Sequence, residues 1–256
     1  MGSNLTYLIT GAGRGIGKGF VAAILQKPST TVIAAVRDPS KDAVEALTHL
    51  PKAVGSKLII IKLDSALESD AFDAVTRLQK DHGITSLDVV IANAGINHSG
   101  NPVIQNSPAA VLEHFSVNTL GPLTLLQATA GLLKASNSGR PSFVALSSII
   151  GSIGSMELVA ELPPTMSPYG ASKAALNWLV RRLHFEEPWL TSFVFHPGVV
   201  LTDMTAAAMG ETGADPRDFG AITVEVSVTG MVKTIDSATR EISGTFQNYD
   251  GTTLPW

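Results

Sequence analysis

The glycine run Thr10-Gly-Ala-Gly-Arg-Gly-Ile-Gly17 lies directly behind a short apolar segment, Leu5–Thr10, and directly ahead of a helical one near 15–27. That placement restricts the fold more than any other feature of the chain. Gly11, Gly13, Gly15 and Gly17 let the backbone turn tightly from a buried strand into a helix. They also leave the helix N-terminus open, where free N–H groups and the helix dipole attract a phosphate. Arg14 and Ile16 complete the run as candidate contacts to such a ligand. A plain strand-to-helix turn can share this composition, so the run needs support from the rest of the chain.

That support is alternation. Further apolar runs at Thr31–Val36, Lys57–Leu63, Leu87–Ala92, Ser142–Ser147, Thr191–Phe195 and Gly244–Tyr249 predict strands. Their near-continuous Val/Ile/Leu content predicts burial on both faces, as in a parallel sheet covered by helices. Helical patterns fall between them near 40–50, 67–82, 107–135, 167–187 and 216–238. The predicted fold is α/β, a Rossmann-type doubly wound parallel sheet of about seven strands with helices on both faces. Val224–Thr229 alternates like a strand, but Thr223 can cap a helix through Met231 and Ile235, and a helix is preferred there.

The chain has 256 residues, 45% of them hydrophobic and 16% charged, which predicts one domain over residues 1–256 with a large core. A net charge of -4 and no Lys/Arg cluster argue against a nucleic-acid partner. No cysteine is present, so disulfides and thiolate chemistry are excluded. The six histidines lack short ligand spacing, and no metal is expected. No apolar run is long enough to cross a bilayer, so the expectation is no membrane partner and a cytoplasmic location. Met1-Gly2-Ser3-Asn4-Leu5-Thr6 fits an acylation pattern, but a buried first strand is the preferred reading of its end.

Tyr169-Gly-Ala-Ser-Lys173 places a phenol and an ammonium one helical turn apart on one face. A lysine near a phenol favours the phenolate and is expected to lower a pKa that is ordinarily about 10. Such a tyrosine can exchange protons near neutral pH.

With the glycine run and this pair, four further features fall in one order. Asn93-Ala94-Gly95 closes the fourth strand, Asn118 sits in a helix, Ser147-Ser148 ends the fifth strand, and Pro197-Gly198 precedes Val200 and Thr202. The chain resembles the short-chain dehydrogenase/reductase family along essentially its whole length. The close Tyr249–Trp256 resembles a branch holding C-factor-like and sniffer-type carbonyl reductases and norsolorinic acid ketoreductase-like fungal enzymes.

The resemblance implies reversible hydride transfer between a nicotinamide and a carbonyl. It implies Tyr169 as proton donor, Ser148 as the carbonyl's partner, and Lys173 as tuner of Tyr169 and ribose ligand. Asn118 would hold a proton-relay water, and Ser147 is the fallback for Ser148. It also implies that Asn93, Ala94, Gly95, Pro197, Gly198, Val200 and Thr202 contact the cofactor. Asp64 resembles an adenine contact, or serves as a strand-end turn residue. Arg14 and Arg37 favour a 2′-phosphate, predicting NADPH/NADP+ over NADH, although Asp38 can pair with Arg37 or face the ribose.

Ser148 and Tyr169 are 21 residues apart, longer than the family's usual interval. The extra length, with Gly151, Gly154, Glu157, Glu161, Pro163 and Pro164, makes 149–166 either a surface insertion or a border of the substrate pocket. Residues 204–222 form a second expected substrate loop, with Met204–Phe219 as lid. Met204 and Met209 predict an apolar or aromatic ketone as the small-molecule carbonyl substrate. The resemblance implies a homodimer or homotetramer built through the helices near 107–135 and 167–187, the second carrying Leu176, Trp178, Leu179, Leu183 and Phe185, some of which face the sheet. The competing readings are a cofactor-binding regulatory or signalling protein, and an NADP-organised non-redox enzyme.

Overall fold

The structure is a computed structural model that describes residues 4–39, 42–98, 100–160, 166–210, 213 and 215–256. Eight strands form one sheet in the order β3-β2-β1-β4-β5-β6-β7-β8. They are β1 (Leu5–Thr10), β2 (Thr30–Val36), β3 (Lys57–Lys62), β4 (Val89–Ala92), β5 (Ser142–Leu146), β6 (Thr191–His196), β7 (Phe246–Asn248) and β8 (Thr253–Leu254). The first seven run parallel and β8 returns antiparallel to β7. The sequence pattern predicted about seven strands. The eighth has two residues, too short to show periodicity.

Helices cover both faces. They are α1 (Gly15–Leu25), α2 (Asp42–Thr48), α3 (Glu68–His82), α4 (Pro108–Phe115), α5 (Gly121–Lys134), α6 (Ser167–Glu186), α7 (Asp203–Gly210) and α8 (Val224–Ser237). Leu8, Ile33, Val90, Phe143 and Val194 point to one face and pack with Leu78, Leu132 and Leu176. Their neighbours Tyr7, Ile9, Val32, Val144 and Phe195 point to the other, against Phe20, Ile24, Val228 and Met231. This alternation is the strand period of two, and each large apolar side chain so buried contributes about 1.5–3 kcal/mol.

The ambiguous segment at 224–229 is helical. Thr223 Oγ1 accepts from the Val226 N–H, and Val228, Met231 and Ile235 bury one stripe of α8. The single helix expected over 107–135 is three pieces: α4, a π-helical turn at Ser116–Leu120, and α5. The helix expected near 216–238 divides into a 3-10 turn, Pro216–Phe219, and α8. On α6, Leu176 and Leu183 are buried, whereas Trp178 and Phe185 are exposed. No described helix is long and apolar enough to cross a membrane. Gly2 of the acylation pattern lies outside the described residues, as do Glu161, Pro163 and Pro164 of the extra segment.

Candidate active site

The sheet order reverses between β1 and β4, the switch point beyond whose strand C-termini folds of this kind bind ligands. The glycine turn stands on one side of it. Gly11 has φ +62°, and a Cβ there would lie 2.9 Å from the Ala94 Cα. A Cβ on Gly17 would run into the Gly11 carbonyl oxygen. Thr10 and Asn93 join the two strand ends: the Asn93 and Ala94 N–H groups both donate to Thr10 Oγ1 at 3.1 Å. Asn93 Nδ2 donates to the Thr10 carbonyl at 2.8 Å and to that of Gly11 at 3.3 Å. Gly13 and Arg14 lie in the turn itself, while Gly15 and Ile16 open α1.

Arg14 and Arg37 both reach solvent at the same end of the sheet. Arg14 Nη1 lies 3.5 Å from Asp203 Oδ2, an exposed pair that contributes little to stability. Asp64 is bound up in its own turn, its Oδ1 accepting from the Ala66 N–H at 3.0 Å and its N–H donating to Asp70 Oδ2 at 2.9 Å. Asp38 follows Arg37 and is half-buried.

Across the switch point, β5 and α6 bring together Ser148, Tyr169 and Lys173, the residues expected to react. Ser148 stands close enough to Tyr169 for its hydroxyl to lower the phenol's proton affinity, and Ser148 Oγ accepts from the Ile150 N–H at 3.3 Å. Ser147, the fallback, points instead to Asn177 on α6, with its Oγ donating to Oδ1 at 2.5 Å. Lys173 Nζ donates to the Leu146 carbonyl at 2.6 Å and lies 5.6 Å from the centre of the Tyr169 ring. Asn118 sits in the π turn and is fully buried. Its Oδ1 accepts from the Ile96 N–H at 2.9 Å, and its Nδ2 donates to the Ile96 carbonyl at 2.9 Å and to Ser172 Oγ at 3.0 Å. A Cβ on Gly95 would lie 3.1 Å from Asn118 Oδ1 and 3.6 Å from Lys173 Nζ, so these two groups meet across Gly95.

Burial governs the proton affinities. It pushes the Tyr169 phenol up to about 12, partly offset by the Ser148 hydrogen bond, and pushes the Lys173 ammonium down to about 7. The expected lowering of Tyr169 is therefore corrected: burial raises it. A phenolate and an ammonium both lose solvation here, and a lysine that sheds its proton near neutrality has less charge with which to hold a phenolate.

The third side is built after β6. Ser227 Oγ donates to the Pro197 carbonyl at 2.6 Å, and Val200 forms a bridge with Ile222. A Cβ on Gly15 would be 3.5 Å from Thr202 Cγ2, so Thr202 faces the glycine turn, whereas Gly198 packs against Ile222 and Tyr249. Thr202 Oγ1 accepts from the Thr205 N–H at 3.3 Å and caps α7. Met166, Ala208 and Met209 pack together with Ile150, Val199 and Phe219. Residues of both expected substrate loops thus meet in one apolar cluster. The extra segment itself forms 3-10 turns at Ile149–Gly151 and Ile153–Val159. His196 escaped notice in the sequence because its spacing fits no metal site. It ends β6 with a buried, unpartnered Nδ1, and burial pushes its pKa down to about 4.

Residues 6–212 match the sequence profile of the family described as short chain dehydrogenase. The chain belongs to this family. Within it, the chain is 45% identical over 255 residues to norsolorinic acid ketoreductase of Dothistroma septosporum, covering 98% of this chain and 92% of that protein. Among solved structures of the same fold, NADPH-bound carbonyl reductase from chicken fatty liver is 31% identical, with a TM-score of 0.84 and 98% of each chain covered. Carbonyl reductase Sniffer of D. melanogaster is 28% identical, with a TM-score of 0.80 and 99% of each chain covered. This short chain dehydrogenase thus carries the glycine turn on one side of the switch point and Ser148, Tyr169 and Lys173 on the other.

Proposed function

We propose that this protein is an NADPH-dependent carbonyl reductase that reduces an apolar or aromatic ketone, with Tyr169 as proton donor. The observation that carries the reading is Lys173 Nζ, buried against the Leu146 carbonyl and 5.6 Å from the centre of the Tyr169 ring, with Ser148 beside the same phenol. The ketoreductase and NADPH-bound carbonyl reductase relatives support the same chemistry.

The residues present fit a dinucleotide. Gly11 and Gly17 let the turn pack directly against Asn93 and Ala94, and the α1 N-terminus has no side-chain cap competing for its N–H groups. Gly11, Gly13, Arg14, Gly15, Ile16 and Gly17 would hold the pyrophosphate, and Arg14 and Arg37 the 2′-phosphate. Asn93, Ala94, Gly95, Pro197, Gly198, Val200 and Thr202 would border the nicotinamide half. When bound, NADPH supplies the reducing equivalent as hydride from its nicotinamide ring.

The chain's own residues do the rest. Ser148 Oγ donates to the ketone oxygen and fixes its orientation beside the phenol. Tyr169 delivers its proton to that oxygen as negative charge develops there. A phenol held near 12 is fully protonated at neutral pH, which suits a donor. Lys173, which titrates near neutrality, restores the proton, and Asn118 lies beside it across Gly95 to position a relay water. The apolar cluster of Met166, Ala208 and Met209 favours a substrate without charge.

The reading includes a homodimer or homotetramer, supported by exposed Trp178 and Phe185 on α6. Sedimentation of wild type against Trp178→Glu tests it. For the activity, NADPH oxidation is followed by absorbance against aromatic, aliphatic and small charged ketones and aldehydes. Turnover of aromatic ketones is the expected result. Turnover confined to small charged ketones would overturn the substrate class, and no turnover at all would overturn the activity.

A further inference from the structure

Tyr169 and Lys173 have a third polar partner on α6. Asn177 follows Lys173 by one more turn, so all three share a face of the helix. It is 4% exposed. Its amide uses both ends: Oδ1 accepts from Ser147 Oγ at 2.5 Å, and Nδ2 donates to the Gly151 carbonyl at 3.1 Å. A carbonyl can only accept, so the bond to Gly151 fixes which end of the amide faces which partner.

Those two partners bracket Ser148. Ser147 precedes it at the end of β5, and Gly151 closes the turn that follows, with its N–H donating to the Ser148 carbonyl at 2.9 Å. The turn is also pressed onto α6, because a Cβ on Gly151 would lie 2.6 Å from the Lys173 Cβ. One from Gly170 would lie 3.0 Å from the Ile150 carbonyl oxygen. Ser148 thus belongs to a short span held at both ends by the helix that carries its partner, Tyr169. Both hydrogen bonds of the Asn177 amide terminate on that span.

We propose that Asn177 is a positioning residue: by tying Ser147 and Gly151 to α6, it fixes the place of the Ser148 hydroxyl beside the Tyr169 phenol. The inference rests on the reading of Ser148 and Tyr169 as the groups that meet the ketone. Hydrogen bonds weaken steeply with distance and angle, and a displacement of about 1 Å near the reacting atoms can cost roughly 100-fold in rate.

The test uses the full chain with the best carbonyl substrate from the panel. Asn177→Ala, Ser147→Ala, Ser148→Ala and the doubles Asn177→Ala/Ser148→Ala and Ser147→Ala/Ser148→Ala are compared in kcat, KM, NADPH affinity by cofactor fluorescence, and melting temperature. Asn177→Ala is expected to lower kcat by roughly 10- to 100-fold while KM and NADPH affinity stay close to wild type. In the Ser148→Ala background neither Asn177→Ala nor Ser147→Ala should cost anything further, because there is no hydroxyl left to position. Ser147→Ala removes one tether and leaves the amide bonded to Gly151, so it carries the test if Asn177→Ala does not fold. Folded variants with wild-type kcat, or losses that multiply fully with Ser148→Ala, overturn the proposal. A wild-type protein that reduces no carbonyl overturns the function reading as well, which separates the two failures.

Discussion

The Lys173 ammonium stands over the face of the Tyr169 ring, 5.6 Å from its centre, and donates its hydrogen bond to the Leu146 carbonyl. Helix spacing alone put the two on one face, but burial determines what the neighbourhood does to each. Both charged forms, phenolate and ammonium, are penalised by the loss of water.

Lys173→Met follows from that penalty. Lysine's ordinary pKa is 10.5, and in the folded chain it is about 7. Between those values the unfolded chain binds more protons than the folded one, so wild-type stability rises with pH across that window. Below about pH 7 the whole cost of the buried ammonium is present. Lys173→Met is expected to melt higher than wild type at pH 6, by about 2–4 °C for each kcal/mol relieved, with the gain shrinking toward pH 10. Calorimetry over a pH series checks this, and a gain independent of pH would contradict the assignment.

Tyr169→Phe keeps the ring and removes the proton. Turnover should fall by at least about 100- to 10,000-fold, with NADPH fluorescence titrations roughly unchanged. Retained turnover would remove Tyr169 from the reaction.

Arg14→Ala and Arg37→Ala each remove a guanidinium that the proposed cofactor reading assigns to the 2′-phosphate. Each should lower kcat/KM for NADPH by roughly 10- to 100-fold and leave that for NADH much less affected. A wild-type preference for NADH would count against both roles.

Asn118→Ala leaves the Ile96 N–H and carbonyl and the Ser172 hydroxyl without their buried partner. The expected cost is on the order of 2–4 kcal/mol, read as a lower denaturant midpoint with an unchanged slope. A midpoint equal to wild type would mean that water replaces the amide.

Local features were legible from the chain because near neighbours create them. The apolar runs gave seven of the strands, with ends shifted by up to two residues. Thr223 announced the start of α8, and the glycines announced the turn after β1. The π turn around Asn118 was not legible, since 107–135 reads as one uninterrupted helical pattern and i→i+5 pairing has no periodic signature of its own. Neither was β8, whose two residues pair only because β7 offers an edge.

The sequence by itself determined the layered fold, the glycine turn and the shared face of Tyr169 and Lys173. All of these depend on spacing within a strand, a turn or a helix. Only the tertiary structure decided which serine reaches Tyr169, what Asn177 and His196 are placed beside, and the direction in which Tyr169 and Lys173 shift. Those outcomes depend on strand register and on the removal of water by segments far apart in the chain, and no local pattern encodes either.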